Sequence, residues 1–204
     1  MAAAATSKPT GGVGDPSKKK KIYSKFQFKD QVFEIGDICR FYNESGDLIG
    51  KILGIVSTDA NHKDFGKLKV QWLYTKRDLD FKKLKIKEED QEQIAVQEVF
   101  PTQHFDQVYV QCINGKCKIL NLEEFEAQAH VPPDVFFTRA NYDHVKKELK
   151  PPYQKWDKLC SCKKPCNPMQ QYIMCESCSQ WFHPQCEGVT ADEENFICRG
   201  CQTK

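Results

Sequence analysis

Short apolar segments separated by turn residues dominate the chain between residues 32 and 100. Four of them have the length and the β-branched and aromatic content of strands: VFEIGDICRFY, LIGKILGIVS, LKVQWLY and IAVQEVF. Turns between them are supplied by Gly36-Asp37, Ser45-Gly46-Asp47 and Gly66. This pattern predicts a mainly β domain.

Helical patterns are brief. They predict one short helix at residues 122–129 and another at 142–149, which Pro151-Pro152 must stop. The segment 76–93 (KRDLDFKKLKIKEEDQEQ) is mostly charged or amide, which predicts a solvated loop or a short exposed helix. A functional interpretation gives this segment weak contacts to DNA phosphates that fade as salt rises. The lysines concerned are Lys82, Lys83, Lys85 and Lys87.

Residues 1–24 are rich in Ala, Gly, Pro and Lys and contain almost nothing to bury, which predicts a disordered basic tail. Its row of four lysines, 18–21, is typical of a nuclear import signal or a phosphate-contacting arm. A solvated run with no function is the alternative. We divide the remainder into a domain at 25–150, a linker at 151–158 and a C-terminal segment at 159–204.

Length and composition set further limits. A chain of 204 residues accommodates one domain of ordinary size and one small one. A net charge of only +2 argues against a protein whose whole surface binds nucleic acid. No apolar run approaches the roughly 20 residues that span a bilayer, so we expect no membrane partner. The odd count of 11 cysteines favours a reducing compartment over a disulfide framework.

Eight residues near the C-terminus have the spacing of metal ligands. The pattern is C-x-C, twelve residues, C-x2-C, four residues, H-x2-C, eleven residues, C-x2-C, so each close pair can share one ion. The pattern predicts two interleaved zinc sites, and a closed four-ligand shell leaves no position for a catalytic water, so the zinc is structural. The predicted ligands are Cys160, Cys162, Cys175, Cys178, His183, Cys186, Cys198 and Cys201.

This block resembles the PHD zinc finger, which carries an aromatic residue where Trp181 precedes His183 by two positions. A RING ubiquitin ligase normally places its histidine fourth among the ligands rather than fifth. The resemblance implies a cross-braced finger with Cys160, Cys162, His183 and Cys186 on one zinc ion and Cys175, Cys178, Cys198 and Cys201 on the other. So small a segment buries little apolar surface, so metal binding would supply much of its folding free energy.

A second resemblance covers about residues 30–150. The segments IGDICRFY, LIGKILGI, VQWLYTKRD, EVFPTQHFDQV, INGKCKI and FFTRANYD follow the order of the bromo-adjacent homology (BAH) domain, which implies a distorted β-barrel. A BAH domain followed directly by a PHD finger is similar to the compact BAH-PHD chromatin readers of plants and other eukaryotes. The resemblance implies a nuclear protein that binds methylated histone H3 tails, with the finger on trimethylated lysine 4 and the BAH domain on lysine 27 or another methyllysine.

A trimethylammonium ion cannot donate a hydrogen bond, so it is recognised by aromatic faces that attract the cation. In the finger, the resemblance assigns two cage positions to Tyr172 and Trp181, while a third falls on Cys166, which fits neither metal site. Met169 would supply a polarizable wall, and Glu176 would face an arginine of the peptide. The alternative is that Tyr172 and Trp181 only pack on the zinc core.

In the BAH segment, Trp72 and Tyr74 stand two apart on a predicted strand, which points both side chains to one face. They match two cage positions of the family, and the third falls on Leu48. His104 and Asp106 match positions that hold the peptide backbone. The alternative is that 68–74 forms one alternating apolar stripe that belongs to the core.

We therefore expect a non-enzymatic protein, since no nucleophile–base pair, phosphate loop or open metal site is evident. Its expected partners are the histone H3 tail, the nucleosome and other subunits of a chromatin complex. A scaffold subunit with reduced methyllysine binding is the first alternative, favoured by Leu48 and Cys166. A RING-like ubiquitin ligase is the second, disfavoured by ligand order.

Overall fold

The computed structural model describes residues 22–56 and 66–203. The predicted disordered tail, up to residue 21, and its lysine run lie outside the described residues. The last residues assigned to that tail, Ile22–Tyr23, form a strand. Within the described ranges, no helix is long and apolar enough to cross a membrane.

In the described ranges, thirteen strands make up most of the regular structure. They are β1 Ile22–Tyr23, β2 Lys25–Phe28, β3 Gln31–Glu34, β4 Ile38–Phe41, β5 Leu48–Val56, β6 Lys67–Thr75, β7 Val99–Tyr109, β8 Ile113–Asn121, β9 Val135–Thr138, β10 Asn141–Asp143, β11 Glu148–Lys150, β12 Ile173–Met174 and β13 Trp181–Phe182. The helices are α1 Phe81–Leu84, α2 Leu122–Glu126, α3 Pro184–Glu187 and α4 Arg199–Gln202. Short 3-10 turns cover Lys76–Asp78, Glu88–Gln93, Val110–Cys112 and Tyr153–Lys155.

One seven-stranded sheet organises the domain, in the order β7-β6-β5-β4-β8-β9 with β1 paired to β5. Its pairs are antiparallel except β8 with β9. One face of the sheet packs on a core that includes Phe33, Phe41, Leu68 and Val70, all nearly inaccessible to solvent. The expected mainly β fold is confirmed.

The helix predicted at 142–149 is wrong. Those residues form the β10–β11 hairpin, in which Tyr142 pairs with Leu149 and both side chains are buried. The turn is closed by Asp143, whose carboxylate accepts from the backbone N–H groups of Val145 at 3.1 Å and Lys146 at 2.9 Å. An aspartate that bonds the next N–H groups favours a turn over a continuing helix.

Two other expectations need adjustment. Of the predicted strand 94–100, only Val99 and Phe100 belong to β7. The segment 76–93 does contain a short helix, α1, but it is not merely solvated, because Leu79, Ile86 and Gln93 are buried. The helix predicted at 122–129 is confirmed as α2, where Asn121 and Glu124 form a capping box.

The acidic turn Glu88–Gln93 is the surface on which the C-terminal segment rests. Its backbone carbonyls accept from the side chains of residues on that segment: Lys164 Nζ donates to Glu89 O at 2.9 Å, and Asn167 Nδ2 donates to Glu92 O at 2.7 Å. The predicted linker 151–158 is also packed, with Tyr153 and Trp156 buried in the core of the β domain. The charged segment therefore serves as an intramolecular docking site.

Arg139 joins the two parts of the chain. Its guanidinium forms a two-point ion pair with the fully buried carboxylate of Glu98, with Nε at 2.8 Å and Nη2 at 3.0 Å from the two oxygens. The same group donates to the carbonyl of Cys166 and to that of Gln93, and lies 3.9 Å from the ring centroid of Trp156. One buried cation thus bonds the β sheet, the acidic turn and the cysteine-rich segment.

Arg139→Met is expected to lower the free energy of unfolding by about 3–5 kcal/mol at pH 7, because it leaves the Glu98 carboxylate buried without its partner. Burial raises the pKa of Glu98, and Arg139 opposes that shift. In the variant the pKa rises further, so the folded state binds a proton more readily than the unfolded state and the loss should shrink as pH falls from 7 towards 5. Urea unfolding at both pH values measures this.

Two further variants serve as controls. Lys116→Met breaks a partly exposed pair, with Nζ 2.7 Å from Asp37 Oδ2, and should cost about 1 kcal/mol or less at either pH. Adding Glu98→Gln to Arg139→Met should restore part of the loss because the buried charge is gone. Equal losses for Arg139→Met and Lys116→Met would contradict the assignment.

Candidate metal centres and peptide-binding surfaces

The cysteine-rich segment, residues 159–203, gathers the eight predicted ligands into two groups. Within each group the donor atoms all lie within 4.8 Å of one another. The groups are Cys160, Cys162, His183 and Cys186, and Cys175, Cys178, Cys198 and Cys201. Each group alternates along the chain with the other, and Cys166 belongs to neither.

The distances between the donor atoms suit an ion with tetrahedral coordination. Cys162 Sγ lies 3.5 Å and Cys186 Sγ 3.8 Å from His183 Nδ1, and Cys178 Sγ lies 3.9 Å from Cys198 Sγ. A tetrahedron with zinc–ligand bonds of 2.0–2.3 Å has edges of roughly 3.3–3.8 Å. The other ring nitrogen of His183, Nε2, lies 3.1 Å from Gln170 Oε1. Donation from Nε2–H to this amide would leave Nδ1 free for the metal.

Backbone N–H groups lower the pKa of two of the predicted ligand thiols. The Cys198 N–H donates to Cys175 Sγ at 3.3 Å and is the largest of the causes that lower the pKa of Cys175 to about 6. Burial opposes ionisation of Cys160, but the N–H groups of Cys162 and His183 bring its pKa down to about 6. Because metals bind thiolates, both thiols are poised for a metal ion.

The small hairpin β12–β13 carries the aromatic residues predicted for the finger. Met174 pairs with Trp181, and both are 44% exposed. Tyr172 directly precedes β12 and is two residues before Met174. Tyr172 is half-buried; its ring centroid lies 4.6 Å from that of His183 and its hydroxyl accepts from the Asn167 N–H at 3.0 Å. Trp181 is therefore open to solvent, whereas Tyr172 packs against the predicted ligand His183.

The other predicted finger residues differ in exposure and in their contacts. Cys166 is buried, 5% exposed, and its carbonyl is bound by Arg139. Met169 is exposed on the loop that follows, where its N–H donates to Asn167 Oδ1. Glu176 is exposed directly after the ligand Cys175, and its N–H donates to Phe196 O at 3.0 Å.

The β sheet brings its five predicted residues to one face. Gly50 pairs with Trp72, so Leu48, two residues earlier on β5, lies on the face that Trp72 and Tyr74 share. Val70 pairs with Asp106, so Asp106 lies on the same face, as does His104 two residues earlier on β7. The residues are Leu48, Trp72, Tyr74, His104 and Asp106.

A sequence model of the BAH domain matches residues 21–153. The chain belongs to the BAH domain family. Relatives include the chromatin remodeling protein SHL of Arabidopsis thaliana, 35% identical over 111 residues that make up 52% of this chain and 48% of that protein. The chromatin remodeling protein EBS of the same plant is 28% identical over 113 residues, 53% of this chain and 47% of that protein. The chain spans about half the length of these relatives.

Two further likenesses are partial. The nucleosome-remodeling factor subunit NURF301 of Drosophila melanogaster is 43% identical over 49 residues, 22% of this chain and 2% of that protein. The crystal structure of the yeast Rsc2 BAH domain aligns with a TM-score of 0.46 at 14% identity, covering 62% of this chain and 53% of that chain. The two Cys/His groups that follow the BAH domain fit a PHD finger.

The apolar stripe of β6, residues 68–74, is buried at its N-terminal end and reaches the surface at its C-terminal end. Leu68 and Val70 are fully buried, Trp72 is 7% exposed, and Tyr74 is half-buried. Trp72 packs edge-on against Phe41 at 5.4 Å between ring centroids. Three of its four residues therefore belong to the core, and only Tyr74 reaches the surface.

A bulge in the β6–β7 pairing turns His104 towards Tyr74. The register shifts between Gln71 and Leu73, and Thr102 fills the gap by donating from Oγ1 to Trp72 O at 2.8 Å. The Tyr74 hydroxyl then lies 3.0 Å from His104 Nδ1. Burial, with Asp78 and Tyr142 nearby, raises the pKa of Tyr74, so its hydroxyl stays protonated and shares a hydrogen bond with that nitrogen.

Sequence reasoning missed three contributors to these sites. Gly50 leaves room for the stripe, since a Cβ there would lie 2.3 Å from Val70 Cγ1 and 3.1 Å from Trp72 Cε3. A glycine inside a strand pattern signals such close approach and was available as a clue. His144, whose ring centroid is 5.1 Å from that of His104, and Gln170, the partner of His183, gave no sequence signal.

A cavity of about 630 Å³ lies on the other face of the sheet. Its walls include Ile49 and Thr75, the neighbours of Leu48 and Tyr74 that point the opposite way along their strands. None of the five predicted peptide-binding residues of the BAH domain lines it. Its size alone therefore does not locate the surface that the family resemblance implies.

Proposed function

We propose that the protein is a nuclear, non-enzymatic chromatin reader whose finger binds the histone H3 tail methylated at lysine 4 and whose BAH domain binds lysine 27 or another methyllysine. It would recruit or anchor a chromatin complex on the nucleosome. Membership of the BAH family and the names of its relatives, chromatin remodeling proteins and a nucleosome-remodeling factor subunit, support this.

The exposed indole of Trp181 is the observation that carries the proposal. A tryptophan is usually well buried, and here it stands 44% exposed beside Met174 on a hairpin held by metal ligands. An aromatic face and a polarizable thioether, placed side by side and free of the core, suit a quaternary ammonium ion. Exposed Glu176 supplies a negative charge for the basic tail.

The BAH surface supports a second, weaker contact. Leu48, Trp72 and Tyr74 share one sheet face, but Trp72 is almost wholly buried, and Leu48 has no quadrupole to attract a cation. Here His104 and Asp106, on the same face, would provide polar contacts to the peptide backbone. A two-aromatic site of this kind binds less tightly than a full cage.

Buried Cys166 and Trp72 also favour one alternative, a scaffold subunit with reduced methyllysine binding. In that case both domains serve as protein–protein surfaces within a chromatin complex. The alternative predicts no difference between methylated and unmethylated peptides, so the peptide measurements below separate the two functions.

We propose that both metal centres hold zinc, because three thiolates with one imidazole and four thiolates are donor sets typical of structural zinc. Native mass spectrometry of the full chain should find two zinc ions. Cys175→Ala should release metal and unfold the finger while the BAH domain stays folded, since the ligands supply the finger's folding free energy. Cys166→Ser is the matched control and should keep both ions; one ion, or none in freshly reduced protein, would refute the assignment.

Trp181→Ala is expected to remove most of the finger's preference for methylation. An aromatic face contributes about 0.5–2 kcal/mol to binding a quaternary ammonium, or roughly twofold to thirtyfold in affinity. Calorimetry with H3 peptides that have a free N-terminus, trimethylated or unmodified at lysine 4, measures the difference. Trp181→Phe should retain part of it and both variants should retain zinc, while equal affinity of the unaltered protein for the two peptides would argue for the scaffold.

Leu48→Tyr tests the BAH surface by adding the missing aromatic. It should tighten binding to a peptide trimethylated at lysine 27 by up to roughly thirtyfold and leave the unmodified peptide unchanged. Leu48→Met controls for size, and Trp72→Ala should abolish the distinction. Should the tyrosine instead overpack the core, it would cost about 1–3 kcal/mol of stability. A lowered melting temperature without a gain in affinity would then rule out the cage assignment.

A further inference from the structure

Lysines from four separate elements meet on one surface. A cavity of about 300 Å³ is lined by Lys83 of α1 and Lys147 of the β10–β11 turn. A second cavity, of about 230 Å³, is lined by Lys158 of the linker and Lys163 of the finger. Tyr153 and Gln154 line both cavities, so the two are contiguous.

We call this surface the lysine band. Four of its members line the two cavities, Lys83, Lys147, Lys158 and Lys163. We add Lys82 and Lys85, the neighbours of Lys83 in α1 and at its C-cap, both of which are exposed. The band begins with lysines of the charged segment 76–93 and continues across the BAH domain onto the finger. No single stretch of sequence shows it, because its members are up to 81 positions apart, from Lys82 to Lys163.

Two acidic residues line the cavities, and one of them is already paired. Asp90, on the wall of the second cavity, pairs with Lys164 at 3.3 Å. Glu148 lines the first cavity beside Lys147. In the described ranges, the ion pairs engage Lys164 and Lys87 and leave the six lysines of the band without a carboxylate within 4.0 Å. The band therefore presents unneutralised positive charge.

Three of these lysines occupy backbone positions that favour glycine. Lys85, at the C-cap of α1, has a φ of 56°, Lys147 has 58° and Lys163 has 57°. Left-handed backbone is strained for an L side chain and unstrained for glycine. Glycine can therefore replace lysine at all three positions without straining the backbone.

We propose that the lysine band binds the phosphate backbone of duplex DNA. Lysine ammonium groups contact phosphates without sequence preference and release condensed counterions, which makes such binding strongly salt-dependent. The choice of DNA among polyanions rests on the proposed function at chromatin. The contact itself needs neither methyllysine site, so it would add affinity for the nucleosome to whatever the histone tail supplies.

The three left-handed positions allow a variant that removes charge without disturbing the fold. Lys85→Gly, Lys147→Gly and Lys163→Gly combined in the full, zinc-loaded chain should keep the melting temperature and the metal content. Binding to a fluorescent 30-base-pair duplex is measured by anisotropy between 50 and 200 mM salt. Three lost phosphate contacts reduce the slope of log K against log salt by about 2.7. The unaltered protein should therefore weaken about fortyfold more than the variant over that range.

A charge-matched control is available on the β2–β3 hairpin and β5. Lys29, with a φ of 52°, is also left-handed and lies in the β2–β3 turn, and neither it nor Lys25 nor Lys51 lines the two cavities. Lys25→Gln, Lys29→Gly and Lys51→Gln combined remove the same charge and should leave the salt slope within one unit of the unaltered protein. Equal losses in the two triple variants would show a response to net charge and overturn the proposal.

Two further measurements complete the test. If the band variant binds DNA as the unaltered protein does but loses binding to anionic lipid vesicles or to single-stranded RNA, the band serves another polyanion and the proposal is wrong. H3 peptide binding, measured on the same proteins, should be unchanged in the band variant. Absence of peptide binding in the unaltered protein, with DNA binding intact, would count against the proposed reader function and leave the band standing.

Discussion

The buried guanidinium of Arg139 constrains how the two parts of this chain meet. Removing a cation from water is costly unless every donor finds a partner, and here the partners come from three places: Glu98 in the BAH domain, the carbonyl of Gln93 in the acidic turn and the carbonyl of Cys166 in the finger. None of the three can move away without leaving a buried charge or donor unpaired. The finger is thereby held against the sheet by geometry as well as by its chain connection.

This constraint places Cys166, which the family resemblance assigns to a cage position, at the packed junction. The residue is 5% exposed and its backbone is committed to Arg139, so its side chain points into a packed junction, close to Tyr172. The hydroxyl of Tyr172 is likewise occupied by the Asn167 N–H, and Asn167 itself bonds to Glu92 of the acidic turn. The side of the finger that carries Cys166 and Asn167 therefore packs against the BAH domain. The exposed hairpin edge at Trp181 and Met174 remains available for a ligand.

Local regularities were predictable and non-local ones were not. The spacing of the eight ligands and the apolar strand segments follow from metal geometry and strand periodicity, which operate within a few residues. The β10–β11 hairpin was missed because the alternation of Tyr142 and Leu149 over a short span fits a helix as well as a strand, and only the Asp143 turn decides. Burial of Leu79 and Ile86 inside a charged segment depends on Tyr142, Leu149 and Tyr153 packing against them, which sequence periodicity cannot reveal.

Metal binding and the stability of the BAH domain are linked through the same junction. Cys166 lies between Cys162 of one Cys/His group and Cys175 of the other, so ions bound in the two groups would order the backbone that accepts from Arg139. Loss of the ions would free that backbone, deprive Arg139 of one acceptor and open water to the pair with Glu98. The BAH domain keeps its sheet and its own core in that event, because those are built from strand pairing and apolar packing that involve no finger residue. Metal loss would therefore act first on the packing of the finger against the BAH domain, and only through Arg139 on the BAH core beneath it.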